Sequence, residues 1–106
     1  MKIERVKFFD NDLFQSYSCL PKNSPIRKSI VKAVIDIKNN CNCGRNVKKR
    51  LIPKCWKEKY KINNLWIYNL SGGWRLFYTI GSDGIEVVSI VLDWMSHKKY
   101  ENVFGY

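Results

Sequence analysis

Three β-rich segments separated by glycine turns occupy the second half of the chain and restrict what it can fold into. Residues 65–70, 74–80 and 85–94 combine β-branched, aromatic and alternating apolar residues, a pattern that favours strands. Ser71-Gly72-Gly73 and Gly81-Ser82-Asp83-Gly84 separate them, and Gly and Asp tolerate the positive φ angles of tight turns. The sequence therefore predicts an antiparallel meander, with its third strand central because it is apolar on both faces.

The first half of the chain has the pattern of one strand and two helices. Residues 2–9 alternate imperfectly before Asp10-Asn11-Asp12, which predicts a strand and then a helix over about residues 13–20, with Asp10 or Asp12 as its cap. Ser24-Pro25 is typical of an N-cap and a first helical residue, and the Asn-rich stretch from Asn39 ends the second helix. Four apolar residues of this helix recur every three to four positions: Ile26, Ile30, Val34 and Ile37.

The order of these elements predicts an α+β fold of two layers. We expect the N-terminal strand at a sheet edge and both helices packed on one face of the sheet. A chain of 106 residues has the size of a single domain, here residues 1–106. No apolar run reaches the roughly 18 residues that span a bilayer, and the first ten residues lack a signal-peptide pattern. We therefore expect a cytoplasmic protein that does not bind membranes.

The four cysteines do not have the spacing of a structural metal site. Zinc sites favour Cys-x2-Cys pairs, whereas Cys41-Asn42-Cys43 is the only close pair and Cys19 and Cys55 stand apart. A protein of a reducing compartment keeps such thiols free. We expect neither a metal nor a cofactor.

Positive charge is concentrated in one segment. The chain has 19 Lys and Arg against nine Asp and Glu, a net charge of +10, and residues 45–61 contain eight of these cations against Glu58 alone. Large apolar residues interrupt the segment, which indicates an anchored element: Leu51, Ile52, Trp56 and Tyr60. The strong positive electrostatic field of such a chain predicts a polyanionic partner. The alternative is that the basic segment is an ordinary solvated face.

Several motifs in the second half occur together. They are Leu51-Ile52-Pro53-Lys54, residues 64–70, residues 73–80 with Trp74-Arg75-Leu76-Phe77-Tyr78, and Asp93-Trp94 followed by His97, Tyr100 and Phe104-Gly105-Tyr106. With these motifs the chain resembles the RelE/ParE superfamily of toxins from bacterial and archaeal toxin–antitoxin systems, in which the Trp-Arg-Leu-x-Tyr strand is the most recurrent feature. The motifs cover about half of the chain, and the first 44 residues agree with the family in pattern only.

The resemblance implies a RelE-like fold and the toxin of a type II toxin–antitoxin system. Members with RelE activity are metal-independent endoribonucleases that cleave messenger RNA in the ribosomal A site and inhibit translation. A cognate antitoxin is also implied, and we expect it to be acidic and partly disordered until bound. Two alternatives stay open: a ParE-like DNA gyrase poison that makes no cut, and a basic RNA-binding module without catalysis. The oligomeric state stays open as well.

RNA cleavage without a metal needs a proton acceptor for the 2′-hydroxyl and a cation for the transition state. His97 is the side chain suited to proton transfer near neutral pH. The resemblance implies a catalytic role for it, since several RNA-cleaving relatives carry a histidine near the C-terminus. The alternative is an exposed tail histidine beside Lys98 and Lys99.

The resemblance also places Arg75 on the active face, where a planar guanidinium binds two phosphate oxygens. Alternation puts Arg75 on one strand face with Phe77 and Thr79. The other face has the expected core residues Trp74, Leu76, Tyr78 and Ile80. We therefore predict that the face of Arg75 is open to solvent or RNA.

Basic and aromatic residues on either side of the meander complete the predicted site. We expect four cations to hold the RNA backbone: Lys48, Lys49, Arg50 and Lys54. The resemblance implies that Tyr100, as part of the catalytic set, and Tyr106 orient the scissile phosphate or stack on a base. We expect Phe104 to fold back onto the core.

One departure from the family concerns the carboxylate. Relatives that use a glutamate–arginine–histidine set carry the carboxylate of that set on an early meander strand. This chain has Tyr68-Asn69 there. Glu86 and Asp93 are the other candidates in the meander. Proton abstraction then belongs to His97 or to a lysine of depressed pKa.

Overall fold

The computed structural model describes residues 3–82 and 86–105, which form one mixed sheet between two helical layers. In chain order the elements are β1 (Ile3–Phe8), α1 (Asn11–Ser18), α2 (Pro25–Asn39), β2 (Arg45–Asn46), a 3₁₀ turn (Lys49–Leu51), α3 (Lys54–Tyr60), β3 (Trp66–Asn69), a second 3₁₀ turn (Ser71–Gly73), β4 (Arg75–Ser82), β5 (Glu86–Met95) and α4 (His97–Phe104). The strand order is β1-β5-β4-β3-β2. The α+β class is therefore confirmed.

Strand pairing agrees with the predicted meander. β3, β4 and β5 pair antiparallel in sequence order, and β1 lies at an edge, parallel to β5. β5 is an interior strand, as its apolar sequence predicts. The two-residue β2 pairs with β3 and forms the opposite edge. The sequence did not predict β2, and the turn residues Asp83 and Gly84 lie outside the described residues.

Short polar side chains cap the first two helices; α2 begins at the predicted Pro25, and α1 begins at Asn11, two residues before its predicted start. Asp10 Oδ1 accepts a hydrogen bond from the Leu13 N–H at 2.8 Å and caps α1. Ser24 Oγ accepts from the Arg27 N–H at 3.3 Å, and Pro25 is the first residue of α2. These caps satisfy backbone donors that have no intrahelical partner, so both helix starts are encoded locally.

Two apolar clusters lie on opposite faces of the sheet. One, under α1 and α2, contains Ile30, Ala33, Ile37, Leu70, Leu76, Tyr78 and Val91. The other, under α3 and α4, contains Ile52, Trp56, Tyr60, Leu65, Ile67, Phe77, Leu92, Met95 and Tyr100. The two-layer prediction was therefore wrong, because α3 and α4 add a second helical layer. The basic run concealed α3, and the last residues, expected as a tail, form α4.

The second layer also corrects the prediction for the two faces of β4. Leu76 and Tyr78 are core residues as expected, but Trp74 is 38% exposed. Phe77 and Thr79, expected on an open face, are buried under the second layer at 0% and 7% exposure. Arg75 shares that covered face and is half-buried. Within the described residues, no helix combines the length and apolar character that a bilayer span requires.

Candidate functional site

The start of α4 lies against the start of β4. Antiparallel pairing places Arg75 opposite Met95, two residues before His97. Ser96 caps α4 by accepting a hydrogen bond from the Lys99 N–H at 3.3 Å, so His97 is the first helical residue. Arg75 Nη1 lies 2.6 Å from His97 Nδ1. The structure thus brings together the cation and the histidine that the sequence singled out.

A carboxylate occupies the other side of the imidazole. Glu101 Oε1 lies 2.5 Å from His97 Nε2, one helical turn along α4. Arginine has only donors, so Nδ1 is the acceptor, and the proton of a neutral ring is on Nε2, facing Glu101. Sequence reasoning missed Glu101 because it treated the segment as a tail. The i,i+4 spacing of His97 and Glu101 was the available signal.

The guanidinium of Arg75 rests on an aromatic ring. Arg75 Cζ is 4.4 Å from the centroid of the Tyr100 ring, a cation–π contact. Its Nε is buried without a hydrogen-bond partner, and none of the carboxylates whose side chains the structure describes pairs with it. An imidazole and a ring therefore hold the side chain, and no described carboxylate contacts its positive charge directly.

Tyr100 itself belongs to the core. Its side chain is buried, with the residue 8% exposed, and its ring lies 6.0 Å from Phe77 and 4.8 Å from Phe104 between centroids. Phe104 also contacts Trp56, which confirms that it folds onto the core. The structure thus places Tyr100 beneath Arg75 as packed support. The catalytic role implied for its hydroxyl stays a prediction.

An open groove of about 270 Å³ adjoins this cluster on the side of β2. Residues that line it include Arg45, Lys48, Arg50, Leu51, Tyr100 and Phe104. Two of the four predicted phosphate-binding cations, Lys48 and Arg50, thus lie at the groove. Lys49 and Lys54 are exposed but do not line it. Arg45 was missed as a site residue, and Tyr106 lies outside the described residues.

Backbone contacts fix the β2 segment beside the groove. The Gly44 N–H donates to Tyr78 Oη at 3.0 Å, and that hydroxyl donates to the Cys41 carbonyl at 2.8 Å. A Cβ on Gly44 would lie 2.6 Å from Tyr78 Oη and 2.8 Å from the Ile67 carbonyl oxygen, so only glycine permits this approach. Burial raises the pKa of the Tyr78 hydroxyl, which keeps it a neutral donor. This arrangement sets the position of Arg45.

Asp93, a candidate carboxylate from the sequence, lies in a different cavity. It lines that cavity with Asp10, Lys59 and Tyr60, and Arg75, His97 and Glu101 are not part of the lining. Burial raises the pKa of Asp93, and a 2.8 Å hydrogen bond from the Trp94 N–H opposes that shift. The carboxylate that lies next to His97 is therefore Glu101 and not Asp93. The side chain of Glu86, the other candidate, lies outside the described residues.

The remaining chemistry-bearing residues are dispersed. In the described part of the chain, no three His, Cys, Asp or Glu side chains converge as metal ligands, and none of the four cysteines forms a disulfide. The chain matches no protein-family model, no curated protein and no solved structure. The geometry of the site is therefore the basis for its function.

Proposed function

We propose that the protein is a RelE-like toxin of a type II toxin–antitoxin system, a metal-independent endoribonuclease that cleaves messenger RNA at the ribosomal A site and inhibits translation. The observation that carries this proposal is the Arg75–His97–Glu101 arrangement. It places a permanent cation 2.6 Å from an imidazole nitrogen, with a carboxylate on the other nitrogen. These are the groups that phosphodiester cleavage by an internal 2′-hydroxyl requires.

The first step follows from the charges. The Arg75 guanidinium binds oxygens of the scissile phosphate, and this contact replaces its hydrogen bond to His97. His97 Nδ1 is then free to take the proton of the 2′-hydroxyl. Glu101 holds the Nε2 proton and stabilises the imidazolium that forms, as the carboxylate does in a catalytic triad.

The 2′-oxygen then attacks phosphorus, and the bond to the 5′-oxygen of the next nucleotide breaks. That oxygen takes a proton from solvent. The products are a 2′,3′-cyclic phosphate and a 5′-hydroxyl end, and Arg75 stabilises the negative charge that increases on the phosphate oxygens. End-group analysis of the cut RNA tests this chemistry directly.

A non-catalytic RNA-binding module is the second candidate. Both ring nitrogens of His97 are engaged, one by Arg75 and one by Glu101, which is also what a purely structural histidine would show. Such a module binds RNA with strong salt dependence and makes no cut. His97→Ala would leave its binding intact.

Primer extension on a messenger RNA in a reconstituted translation mixture separates the candidates. We would compare wild type, Arg75→Ala, His97→Ala and the control Lys28→Ala/Lys32→Ala, whose lysines are exposed on α2 in the other helical layer. New 5′ ends that require ribosomes, persist in the control and vanish in the site variants support the nuclease. Binding without ends indicates the module, and loss of DNA gyrase supercoiling without ends indicates a ParE-like poison.

The proposal extends to location and partner. Ribosomes are the proposed target, so the protein acts in the cytoplasm. With a net charge of +10, we expect an acidic cognate antitoxin whose binding weakens as salt rises. An affinity that does not change between about 50 and 500 mM salt would contradict this charge-based partner.

A further inference from the structure

We propose that Cys41 and Cys43 are a reversible dithiol–disulfide pair that is oxidised by low-molecular-weight disulfides and, once oxidised, releases the turn at residues 40–44 from Tyr78. This turn lies just before β2 and is separate from the catalytic cluster proposed above, so the inference goes beyond the proposed function. Its basis is the closeness of the two cysteines, their contacts with one hydroxyl, and the access of solvent to the pair.

The turn keeps the two cysteines close together. Its closing hydrogen bond runs from the Cys43 N–H to the Asn40 carbonyl at 3.0 Å, and the Asn40 side chain accepts a second bond from the Asn42 N–H at 3.1 Å. Residues separated by one position are at most about 7 Å apart in an extended chain, and a turn brings them closer. The Cα atoms of disulfide partners are usually about 4.4–6.8 Å apart, so a bridge needs only a local adjustment of the turn.

The Tyr78 hydroxyl holds the turn in its reduced form. It donates a hydrogen bond to the Cys41 carbonyl at 2.8 Å and accepts one from the Gly44 N–H at 3.0 Å. The Cys43 thiol is hydrogen-bonded to the same hydroxyl. Because the hydroxyl proton points to the Cys41 carbonyl, the thiol is the donor in this contact. A disulfide has no S–H group, so oxidation removes the contact between Cys43 and Tyr78.

The pair is accessible, and the same chain offers single thiols for comparison. Cys43 is exposed and Cys41 is half-buried, so a soluble disulfide reaches the turn from solvent. Cys19 and Cys55 are exposed as well. Cys19 ends α1 and Cys55 lies in α3, so the sheet separates these two cysteines from each other.

The oxidation is a thiol–disulfide exchange in two steps, with oxidised glutathione as the oxidant. The Cys43 thiolate attacks one glutathione sulfur, the S–S bond of glutathione breaks, and one glutathione thiolate leaves. The Cys41 thiolate then attacks the Cys43 sulfur of the mixed disulfide, which forms the Cys41–Cys43 bond and releases the second glutathione. The protons of the two cysteines pass through water to the two glutathione thiolates. The cysteines lose two electrons, and the glutathione disulfide gains them.

A bridge across one intervening residue closes a very small ring. Such a bridge restricts the unfolded chain little, and strained or exposed disulfides are reduced readily. The pair therefore stays reduced in a reducing compartment and forms its bond when the glutathione pool becomes oxidised. Arg45 follows the turn directly and lines the groove, so release of the turn from Tyr78 displaces a cation at the edge of the groove.

Mass spectrometry of the folded protein treated with oxidised glutathione tests the pair. After the remaining thiols are blocked with N-ethylmaleimide, trypsin cleaves behind Lys38 and Arg45 and gives a peptide with both cysteines of the turn and no other cysteine. We expect this peptide to lose two hydrogen atoms and carry no glutathione, and the peptides with Cys19 and Cys55 to carry glutathione. Reduced glutathione should restore the thiols. An unreacted turn peptide, or one with stable glutathione adducts, would overturn the inference.

The part played by Tyr78 is measured by the equilibrium between the two forms. Tyr78→Phe removes the hydroxyl that holds the reduced turn, so the pair should be oxidised more easily. We expect the equilibrium constant for oxidation to rise about 2- to 12-fold, the range for one net hydrogen bond. Tyr60→Phe, at a buried tyrosine in the other helical layer, is the control. Urea unfolding establishes that both variants fold, and an unchanged constant in folded Tyr78→Phe would contradict the proposal.

Amide hydrogen exchange measures the release of the turn without changing Tyr78. The Cys19→Ser/Cys55→Ser variant is used, so that the pair alone reacts. The Gly44 N–H is protected in the reduced form by its bond to Tyr78 and should exchange at least about fivefold faster after oxidation. The Leu70 N–H, bonded within the turn between β3 and β4, should not change. Equal protection of Gly44 in both forms would show that the turn is not released. None of these measurements uses RNA, so their outcome is independent of the proposed nuclease.

Discussion

Arg75 at the start of β4 donates a 2.6 Å hydrogen bond to His97 at the start of α4, across 22 positions of sequence. The pairing of β4 with β5 brings these residues together, because Arg75 lies opposite Met95. The contact determines which imidazole nitrogen accepts and directs the other to Glu101. One hydrogen bond thus sets the orientation of the proposed catalytic groups.

Replacing Glu101 by Gln should slow RNA cleavage while RNA binding stays near wild type. The substitution removes the charge that stabilises the imidazolium of His97, and positioned acid–base groups contribute about 10²- to 10⁴-fold to rates. We expect a loss of at least about tenfold in single-turnover rate. Glu58→Gln, at an exposed carboxylate on α3, is the control. An unchanged rate in Glu101→Gln would remove the carboxylate from the mechanism.

Arg75→Lys should also reduce cleavage although it keeps the positive charge. A lysine is a point charge, so it loses the planar stacking on Tyr100 and the two-pronged contact to phosphate. We expect the cleavage rate to fall about 10- to 100-fold. Complete removal of one electrostatic donor to a transition state typically costs about 10²- to 10³-fold, and the lysine keeps the charge. Rate and anisotropy measurements on the same preparation separate catalysis from binding. Wild-type cleavage by Arg75→Lys would mean that charge alone suffices.

Tyr100→Ala should destabilise the protein by about 3–5 kcal/mol, as expected when a buried aromatic side chain is truncated. Tyr100→Phe keeps the ring under Arg75 and should cost no more than about 1.5 kcal/mol, the scale of one hydrogen bond. Urea unfolding of both variants measures these free energies. A similar cost for the two would show that the hydroxyl, and not the ring, makes the larger contribution.

Gly44→Ala should lower the free energy of unfolding by about 1–3 kcal/mol, the usual cost of overpacking. The new methyl group would meet Tyr78 Oη and the Ile67 carbonyl, and the carbonyl belongs to the backbone of β3 and cannot swing away. Gly81→Ala is the control, because a Cβ there meets nothing within 4 Å. If both variants unfold at the same urea concentration as wild type, the approach of β2 to Tyr78 is looser than the structure shows.

Asp93→Asn should stabilise the protein at about pH 7 and lose that advantage in acid. Burial raises the pKa of Asp93 above its ordinary 3.8, so the folded state favours the protonated carboxyl. A raised pKa contributes stability below the unfolded value, and the contribution is lost as pH rises through the folded value. Asparagine stays neutral and keeps an oxygen for the Trp94 N–H.

Urea unfolding at about pH 7 and pH 3 tests this prediction. Asp12→Asn, in the exposed first turn of α1, supplies the control, because a carboxylate there favours the helix and its removal brings no gain. Equal stability of wild type and Asp93→Asn at both pH values would show that the carboxyl is adequately solvated or compensated by Lys59 and Lys99.

The elements determined by the sequence alone are those whose signals are local. Ser24-Pro25 specifies the start of α2, one of the two aspartates in Asp10-Asn11-Asp12 caps α1, and the alternation with glycine turns specifies β3, β4 and β5. The sequence also identified Arg75 and His97, partly through a family resemblance. Caps, turns and strand periodicity act between residues a few positions apart, so they are visible in any short window of the chain.

Tertiary structure decided what depends on contacts between distant segments. It placed α3 and α4 on the second face of the sheet, buried Phe77 and Tyr100, and set β1 parallel to β5. It also brought Arg75 against His97 and assembled the groove. A charged run and a tail have no strong local pattern, and they become ordered helices because Trp56 and Tyr100 bury apolar area against the sheet. That gain exists only once the sheet has formed.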